Sequence, residues 1–292
     1  MGALRGFEHI IREHEPLAPY TWLRLGGAAE YFAEPTSAEE LKELVAQCRE
    51  HGIPVRVLGD GSNLLVRDQG VPGLVIHLGA AAFSQIAIVD NVVTAGAGAK
   101  LGHVISTAVR EGLSGLEPLV GIPGTVGGAL RSNAGTESHD VGQWTESAEV
   151  MTRSGDLLVH GRDDLRFAYH FSSIDELVIL RATFALERED RTELTKRMQM
   201  LWIVRKSKQP SRDVNMARIF KNPMGLRAAN LIEQAGLKGA KVGSAEISGV
   251  NANFIVAHTG TTSSDVLRLI DMIASQVNER IGVELETDIE IW

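Results

Sequence analysis

"GIPGTVGGALRSNAG", residues 121–135, carries Gly121, Gly124, Gly127, Gly128 and Gly135. That is more glycine than a hairpin needs. Ile122, Val126, Ala129 and Leu130 in the same stretch want burial, which argues against a loop left loose at the surface. A long glycine-rich loop pinned by apolar side chains is expected to lie close against a ligand, its backbone unobstructed by Cβ atoms. A second such stretch precedes it. "VLGDGSNLLV", residues 57–66, reads as a strand ending at Leu58, then Gly59-Asp60-Gly61-Ser62-Asn63, then an apolar run from Leu64. Two glycines let backbone N–H groups converge as they do around a phosphate. A plain β-turn between two strands is the alternative reading of that loop.

The segments around these loops alternate in kind. Residues 36–52 read as a helix: Ser37 with Glu40 makes a capping box, Leu41, Leu44, Val45 and Cys48 form one stripe, and Gly52 ends it. "YFAEP" before it and "IPVRVLG" after it read as strands, giving a β-α-β unit. "NVVTAGAG" leads into a second helix carrying Leu101, Val104, Ile105 and Ala108. Residues 146–186 read as a meander of strands, and the character changes near residue 189. From there a helix carries Leu194, Met198, Leu201 and Trp202 on one side and gives way to a Pro/Ser/Arg loop. Two further helices follow, over 226–234 and 262–280. The closing "VELETDIEIW" alternates as a strand, with Val283, Leu285, Ile289 and Ile291 on one face and Glu284, Glu286, Asp288 and Glu290 on the other. That acidic face reads as a solvated edge, although like charges at this spacing repel, so a partner is expected to hold one of them. The whole is an α+β chain.

At 292 residues, with 44% hydrophobic and 23% charged residues, the chain is long enough for two domains with normal cores. A formal net charge of −8 argues against nucleic acid or an anionic membrane as a general partner. Cys48 is the single cysteine, so no internal disulfide forms, and its place on an apolar stripe makes it a buried filler. The N-terminal "MGALRGFEHIIREHEP" lacks an apolar core of signal-peptide length. Gly2 lacks the Ser or Thr that myristoylation needs at position six, where Gly6 stands. No apolar run is long enough to span a membrane. A cytoplasmic protein is expected.

"TAGAGAKLG", residues 94–102, sits between a strand and a helix like a dinucleotide fingerprint. Its spacing is G-x-G-x-x-x-G, one residue too long, and no acidic residue ends a following strand at the required distance. It is not read as one. There is no G-x-x-x-x-G-K-[ST], no H-E-x-x-H and no clustered Cys/His set, so no metal site is expected. The nine histidines are scattered.

Taken in order, "YTWLRLGGAAEYF", "PVRVLGDGSNLLV", "GIPGTVGGALRSNAG", "LRFAYHFS", "RKSKQP", "IFKNP", "LIEQAGLKG", "ANFIV" and "GVELETDIEI" resemble the UDP-N-acetylenolpyruvoylglucosamine reductases. These are the FAD-dependent enzymes of bacterial peptidoglycan precursor synthesis, also called UDP-N-acetylmuramate dehydrogenases. The resemblance implies a two-lobed FAD-binding domain of the vanillyl-alcohol-oxidase (PCMH) type over residues 1–189. A smaller α+β substrate-binding domain over 190–292 would follow it. It assigns Leu58, Gly59, Asp60, Gly61, Ser62, Asn63 and Leu64, with Gly121, Ile122, Pro123, Gly124, Thr125, Gly127 and Gly128, to the flavin cofactor. No histidine occupies these loops, so the FAD is expected to be non-covalent. NADPH is the implied electron donor and a nucleotide sugar the implied substrate, gripped by Lys221 and Asn222. The chain is expected to work as a monomer.

The departures from the family pattern concentrate at its catalytic positions. In "FAYHFS", Phe167, Tyr169 and Ser172 match, but His170 stands where the family has arginine. In "ARIFKNP", Arg218 stands at the family's serine. In "LETD", Glu286 matches, but Asp288 replaces a glutamate and Thr287 a proline. "NANF" at 251–254 stands for the family's "HANF". The implied catalytic set is therefore His170, Arg218 and Asp288, with Tyr169 beside them. On one reading the site has been rearranged: Arg218 supplies the cation lost at 170, and His170, an imidazole that exchanges protons near neutral pH, becomes the acid. On the other, the flavin is kept for a different substrate or for a binding role.

Overall fold

The computed structural model of the chain describes residues 4–211 and 214–292. Gly2, and Arg212 of the Pro/Ser/Arg loop, lie outside the described residues. Six helices are present among the described residues: α1 (Ala38–Glu50), α2 (Leu101–Arg110), α3 (Val126–Ser132), α4 (Arg191–Ser207), α5 (Ala228–Gln234) and α6 (Ser263–Ile281).

The chain divides into two compact units. The first takes in the chain through His14 together with Glu30–Asp60 and Pro72–Ile203; the second comprises Glu15–Ala29, Gly61–Val71 and Val204–Trp292. The change of character near residue 189 falls between the short strand Glu187–Arg188 and α4, whereas the units part within α4, at Ile203/Val204.

The first unit is built on an antiparallel sheet of five strands. In spatial order these are Leu157–Gly161, Thr145–Met151, Val178–Ala185, Val92–Gly96 and Ile86–Val89. A four-stranded sheet orders Ile11–Pro16, Ala28–Ala33, Val71–His77 and Val55–Leu58, with the last two parallel. The strands before and after α1, Ala28–Ala33 and Val55–Leu58, both belong to this sheet, so the β-α-β unit read from the sequence is present, with Val71–His77 lying between its two strands. Leu41, Leu44, Val45 and Cys48 of α1 are all buried, joining a core that also holds Leu101, Val104 and Ile105 of α2. Ser37 accepts from Glu40 N at 3.1 Å, but only half of the expected capping box forms. The Glu40 carboxylate reaches one residue further back and takes Thr36 N at 2.6 Å. Burial pushes the Cys48 thiol up to about 11. The folded protein is therefore expected to resist Ellman's reagent at pH 8 and to release one equivalent on denaturation; rapid reaction without denaturant would contradict the buried placement.

The second unit has a four-stranded antiparallel sheet: Asn215–Arg218, Phe254–Ala257, Ala245–Ile247 and Lys241–Val242. Helices α5 and α6 share its core through Leu231, Ile232, Val266, Leu269, Ile270, Ile273 and Val277. A capping box of Thr262 and Asp265 starts α6, and Gly282 in the left-handed conformation ends it.

Three readings need correction. The stretch 121–135 is not a loop throughout, because Val126–Ser132 is helical. The last segment is a strand only at Glu290–Ile291, which pairs in parallel with Leu64–Leu65; upstream, Thr287 makes a single bridge to Phe220. Leu285 and Ile289 are nonetheless buried as the alternation requires. In α4 the proposed apolar side holds only in part: Leu194 is buried, but Trp202 is 43% exposed. No helix among the described residues is long and apolar enough to cross a membrane, and no group of three or more His, Cys, Asp or Glu side chains there could hold a metal ion.

Candidate active site

In the first unit the two glycine-rich stretches meet. A Cβ on Gly59 would lie 2.8 Å from Thr125 Oγ1. Thr125 caps α3, its hydroxyl accepting from Gly128 N at 3.3 Å. The stretch from Gly124 is laid along the segment first tested as a dinucleotide fingerprint: Leu101 N donates to Gly124 O, Val126 N to Ala99 O and Gly127 N to Ala97 O, at 2.8–3.0 Å. "TAGAGAKLG" is thus the floor of the loop. Gly121, Ile122 and Pro123 lead into this turn and are half-buried. Leu58 and Leu64, at the two ends of the earlier loop, are buried. Asp60 pairs with the Lys100 ammonium.

Gly61, in the second unit, has φ 59, and a Cβ there would lie 2.1 Å from Tyr20 O. Both facts demand glycine. Beyond it, Asn63 Nδ2 donates to Asp288 O at 2.8 Å. The main-chain N–H groups of Asp60, Gly61, Ser62, Asn63, Gly124 and Thr125 donate to no protein acceptor among the described residues. Peptide N–H groups on buried or half-buried backbone call for acceptors. The oxygens of an FAD diphosphate are acceptors of the right kind, so each loop taken by itself offers donors that suit that group.

Tyr169 and His170 form the tip of a hairpin in the first unit, between the strands Phe167–Ala168 and Phe171–Ser172. His170 has φ 48. Its ring meets that of Tyr169 edge-on, with centroids 4.4 Å apart. His170 is half-buried and Tyr169 exposed.

In the second unit the "RIFKNP" turn lies against the C-terminal segment. Asp288 N donates to Ile219 O at 2.7 Å and Lys221 N to Glu286 O at 2.9 Å. This pairing brings two of the altered positions together: Arg218 Nη1 lies 3.8 Å from Asp288 Oδ2, with the arginine 29% and the aspartate 8% exposed. Lys221 Nζ bonds Glu286 Oε1 at 2.6 Å. The acidic face of the last segment is therefore held at two places by cations of this turn. Asn222 spends its Oδ1 on Ala228 N, 3.1 Å away at the start of α5.

Sequence reasoning passed over Asn253 as part of a softened motif. Its Oδ1 accepts from Phe220 N at 2.9 Å and its Nδ2 donates to Phe220 O at 2.8 Å, in a fully buried setting. It clamps the backbone between Arg218 and Lys221. Asn253→Ala strands both groups of Phe220, at about 1–3 kcal/mol each. The expected loss of about 2–6 kcal/mol would be read by urea unfolding; a loss under about 1 kcal/mol would mean that the clamp is dispensable.

Comparison with known proteins follows these two regions. The pattern of an FAD binding domain matches residues 29–161, and that of the UDP-N-acetylenolpyruvoylglucosamine reductase C-terminal domain matches residues 209–292. The enzyme of that name from Rhodopirellula baltica is 39% identical over 284 residues, 97% of this chain and 93% of the relative. The Listeria innocua enzyme is 40% identical over 288 residues, 98% of this chain and 96% of its own length.

This chain belongs to the UDP-N-acetylenolpyruvoylglucosamine reductase family.

The crystal structure of the reductase from Thermus caldophilus superimposes with a TM-score of 0.81 at 38% identity, covering 97% of this chain and 99% of that one. A cholesterol oxidase from Brevibacterium sterolicum, 15% identical with a TM-score of 0.50, shares the fold over 63% of this chain. As a reductase of this family the chain is an FAD-dependent oxidoreductase with a PCMH-type flavin domain, as the ordered motifs imply.

Proposed function

We propose that the protein reduces the enolpyruvyl group of UDP-N-acetylglucosamine enolpyruvate to give UDP-N-acetylmuramate, with NADPH as donor and non-covalent FAD between them. The supporting observation is full-length membership of the reductase family together with two glycine-rich loops whose N–H groups suit an FAD diphosphate. When bound, FAD supplies the hydride relay between NADPH and the sugar, which no side chain can provide. Flavin contacts fall to 58–64 and 121–128, and nucleotide-sugar contacts to Lys221 and Asn222. On this reading residues 1–189 serve the cofactor and 190–292 the substrate.

Hydride addition leaves enolate-like charge next to the substrate carboxylate and a carbon that needs a proton. Arg218 supplies the cation, steadied by Asp288. Arginine itself is no acid at neutral pH, since a guanidinium holds its proton. The proton falls to His170, with Tyr169 packed against its ring. The protein works as a cytoplasmic monomer, which light scattering of the purified holoenzyme checks.

The purified protein is expected to be yellow, to bleach anaerobically with NADPH, and to regain its flavin absorbance on addition of the enolpyruvyl sugar. Acid precipitation should leave the flavin in the supernatant. The altered positions 170, 218 and 288 favour a second reading, in which the flavin serves another oxidant. Bleaching without recovery by the sugar would select it, and failure to take up FAD on reconstitution would exclude both.

A further inference from the structure

The hairpin that presents His170 is too small to fix itself. It has two residue pairs, Phe167↔Ser172 and Ala168↔Phe171, and an isolated ribbon of that length is not stable in water. Ser173 N adds a bond to Arg166 O at 2.9 Å, and the C-terminal end of α3 ties the hairpin to the rest of the unit. Asn133, 1% exposed, caps that helix in the left-handed conformation with φ 46 and ψ 58, a geometry that asparagine tolerates better than most residues. Its Nδ2 donates to Ala168 O at 2.7 Å, two residues before His170. Its Oδ1 accepts from Gly142 N at 2.9 Å. Gly142 in turn backs the hairpin, for a Cβ on it would lie 2.3 Å from Phe167 Cγ. Arg131, two residues earlier, grips the outgoing chain through Ile174 O at 2.5 Å and through Glu176 O.

The same short helix is capped at its start by Thr125, whose hydroxyl would lie 2.8 Å from a Cβ on Gly59. One rigid element of seven residues therefore has the candidate flavin loop at one end and the His170 hairpin at the other. We propose that Asn133 is a positioning residue for His170, transmitting the placement of the flavin loop to the tip that delivers the proton. The proposal rests on the role given to His170 above. It assigns a task to the "RSN" that closes the glycine-rich stretch.

Asn133→Asp keeps the acceptor for Gly142 N and turns the donor facing Ala168 O into an acceptor. The holoenzyme is expected to hold FAD and bleach with NADPH at the normal rate, while reoxidation by the enolpyruvyl sugar slows by about 10²-fold, the usual cost of a displacement near 1 Å. In a His170→Ala background the same change should have no further effect. Asn133→Gly, which takes the left-handed conformation freely and loses both bonds, should behave likewise. Full reoxidation in either variant, or a loss that multiplies with that of His170→Ala, overturns the role of Asn133 alone. Loss of flavin in both variants makes Asn133 a residue of the fold at large and also overturns it. A His170→Ala enzyme that reoxidises normally removes the reading of His170 and this proposal with it.

Discussion

Replacing His170 with asparagine is expected to slow reoxidation of the reduced flavin by the enolpyruvyl sugar about 10²–10⁴-fold, the range lost with a general acid, while bleaching by NADPH keeps its rate. Asparagine is the informative exchange. The residue sits at φ 48, where alanine would add a backbone penalty of roughly 1–2 kcal/mol to the loss of the ring, whereas asparagine accepts that conformation and removes the ring with its transferable proton. Stopped-flow absorbance separates the two half-reactions. If the asparagine enzyme reoxidises within a factor of about three of the parent, under 1 kcal/mol in barrier, His170 is not the acid. If both half-reactions fall together, the hairpin rather than the imidazole has been damaged.

Much of this arrangement was written in the chain, and the part that was not has identifiable causes. Helices α1, α2 and α6 carry apolar stripes at helical spacing and end at glycine or basic residues, so local pattern and tertiary demand agree. α3 was illegible because Gly127 and Gly128 weaken any helical reading. What makes it helical is the local Thr125 cap and the anchoring of Gly127 N on Ala97 O, the latter a contact with a segment thirty positions earlier. The glycines of "TAGAGAKLG" show the converse. Their spacing excluded a dinucleotide motif, but only the structure shows their use: Cβ atoms at Gly96 and Gly98 would lie 2.2 Å from Phe83 O and 2.1 Å from Leu78 O.

In the candidate site, residues legible one at a time were not legible as pairs. Arg218 and Asp288 each stood out as a departure, and the sequence suggested that a partner would hold one carboxylate of the closing segment. That the partner is Arg218 depends on Asp288 N meeting Ile219 O, a contact between segments far apart in the chain. Asn253 was missed for the same reason: it acts on backbone atoms of Phe220, which leaves no pattern of residue types to read.

Restoring the family's serine at position 218 is expected to lower turnover on the enolpyruvyl sugar, by about 10²–10³-fold, the cost of removing one donor from developing negative charge. The intuitive result is the opposite, since serine is the residue of the family pattern at this position. The geometry opposes that intuition. Asp288, 8% exposed, faces the Arg218 guanidinium at 3.8 Å, and the backbone fixes both residues on adjoining segments, so Arg218→Ser takes the cation away from this carboxylate. The stability cost is small, about 1 kcal/mol for a pair this loose and partly open to solvent, so the protein should remain folded and yellow. The catalytic cost is larger, because the substrate carboxylate then meets Asp288 without an intervening positive charge. Two controls sharpen the result. Arg218→Lys keeps the charge but loses the planar fork, and should recover part of the rate. Asp288→Asn in the Arg218→Ser background removes the repulsion and should raise that variant's rate. An Arg218→Ser enzyme faster than the parent would show that the arginine obstructs an ancestral proton path, and would shift the function to the second reading, in which this site has left the family's substrate.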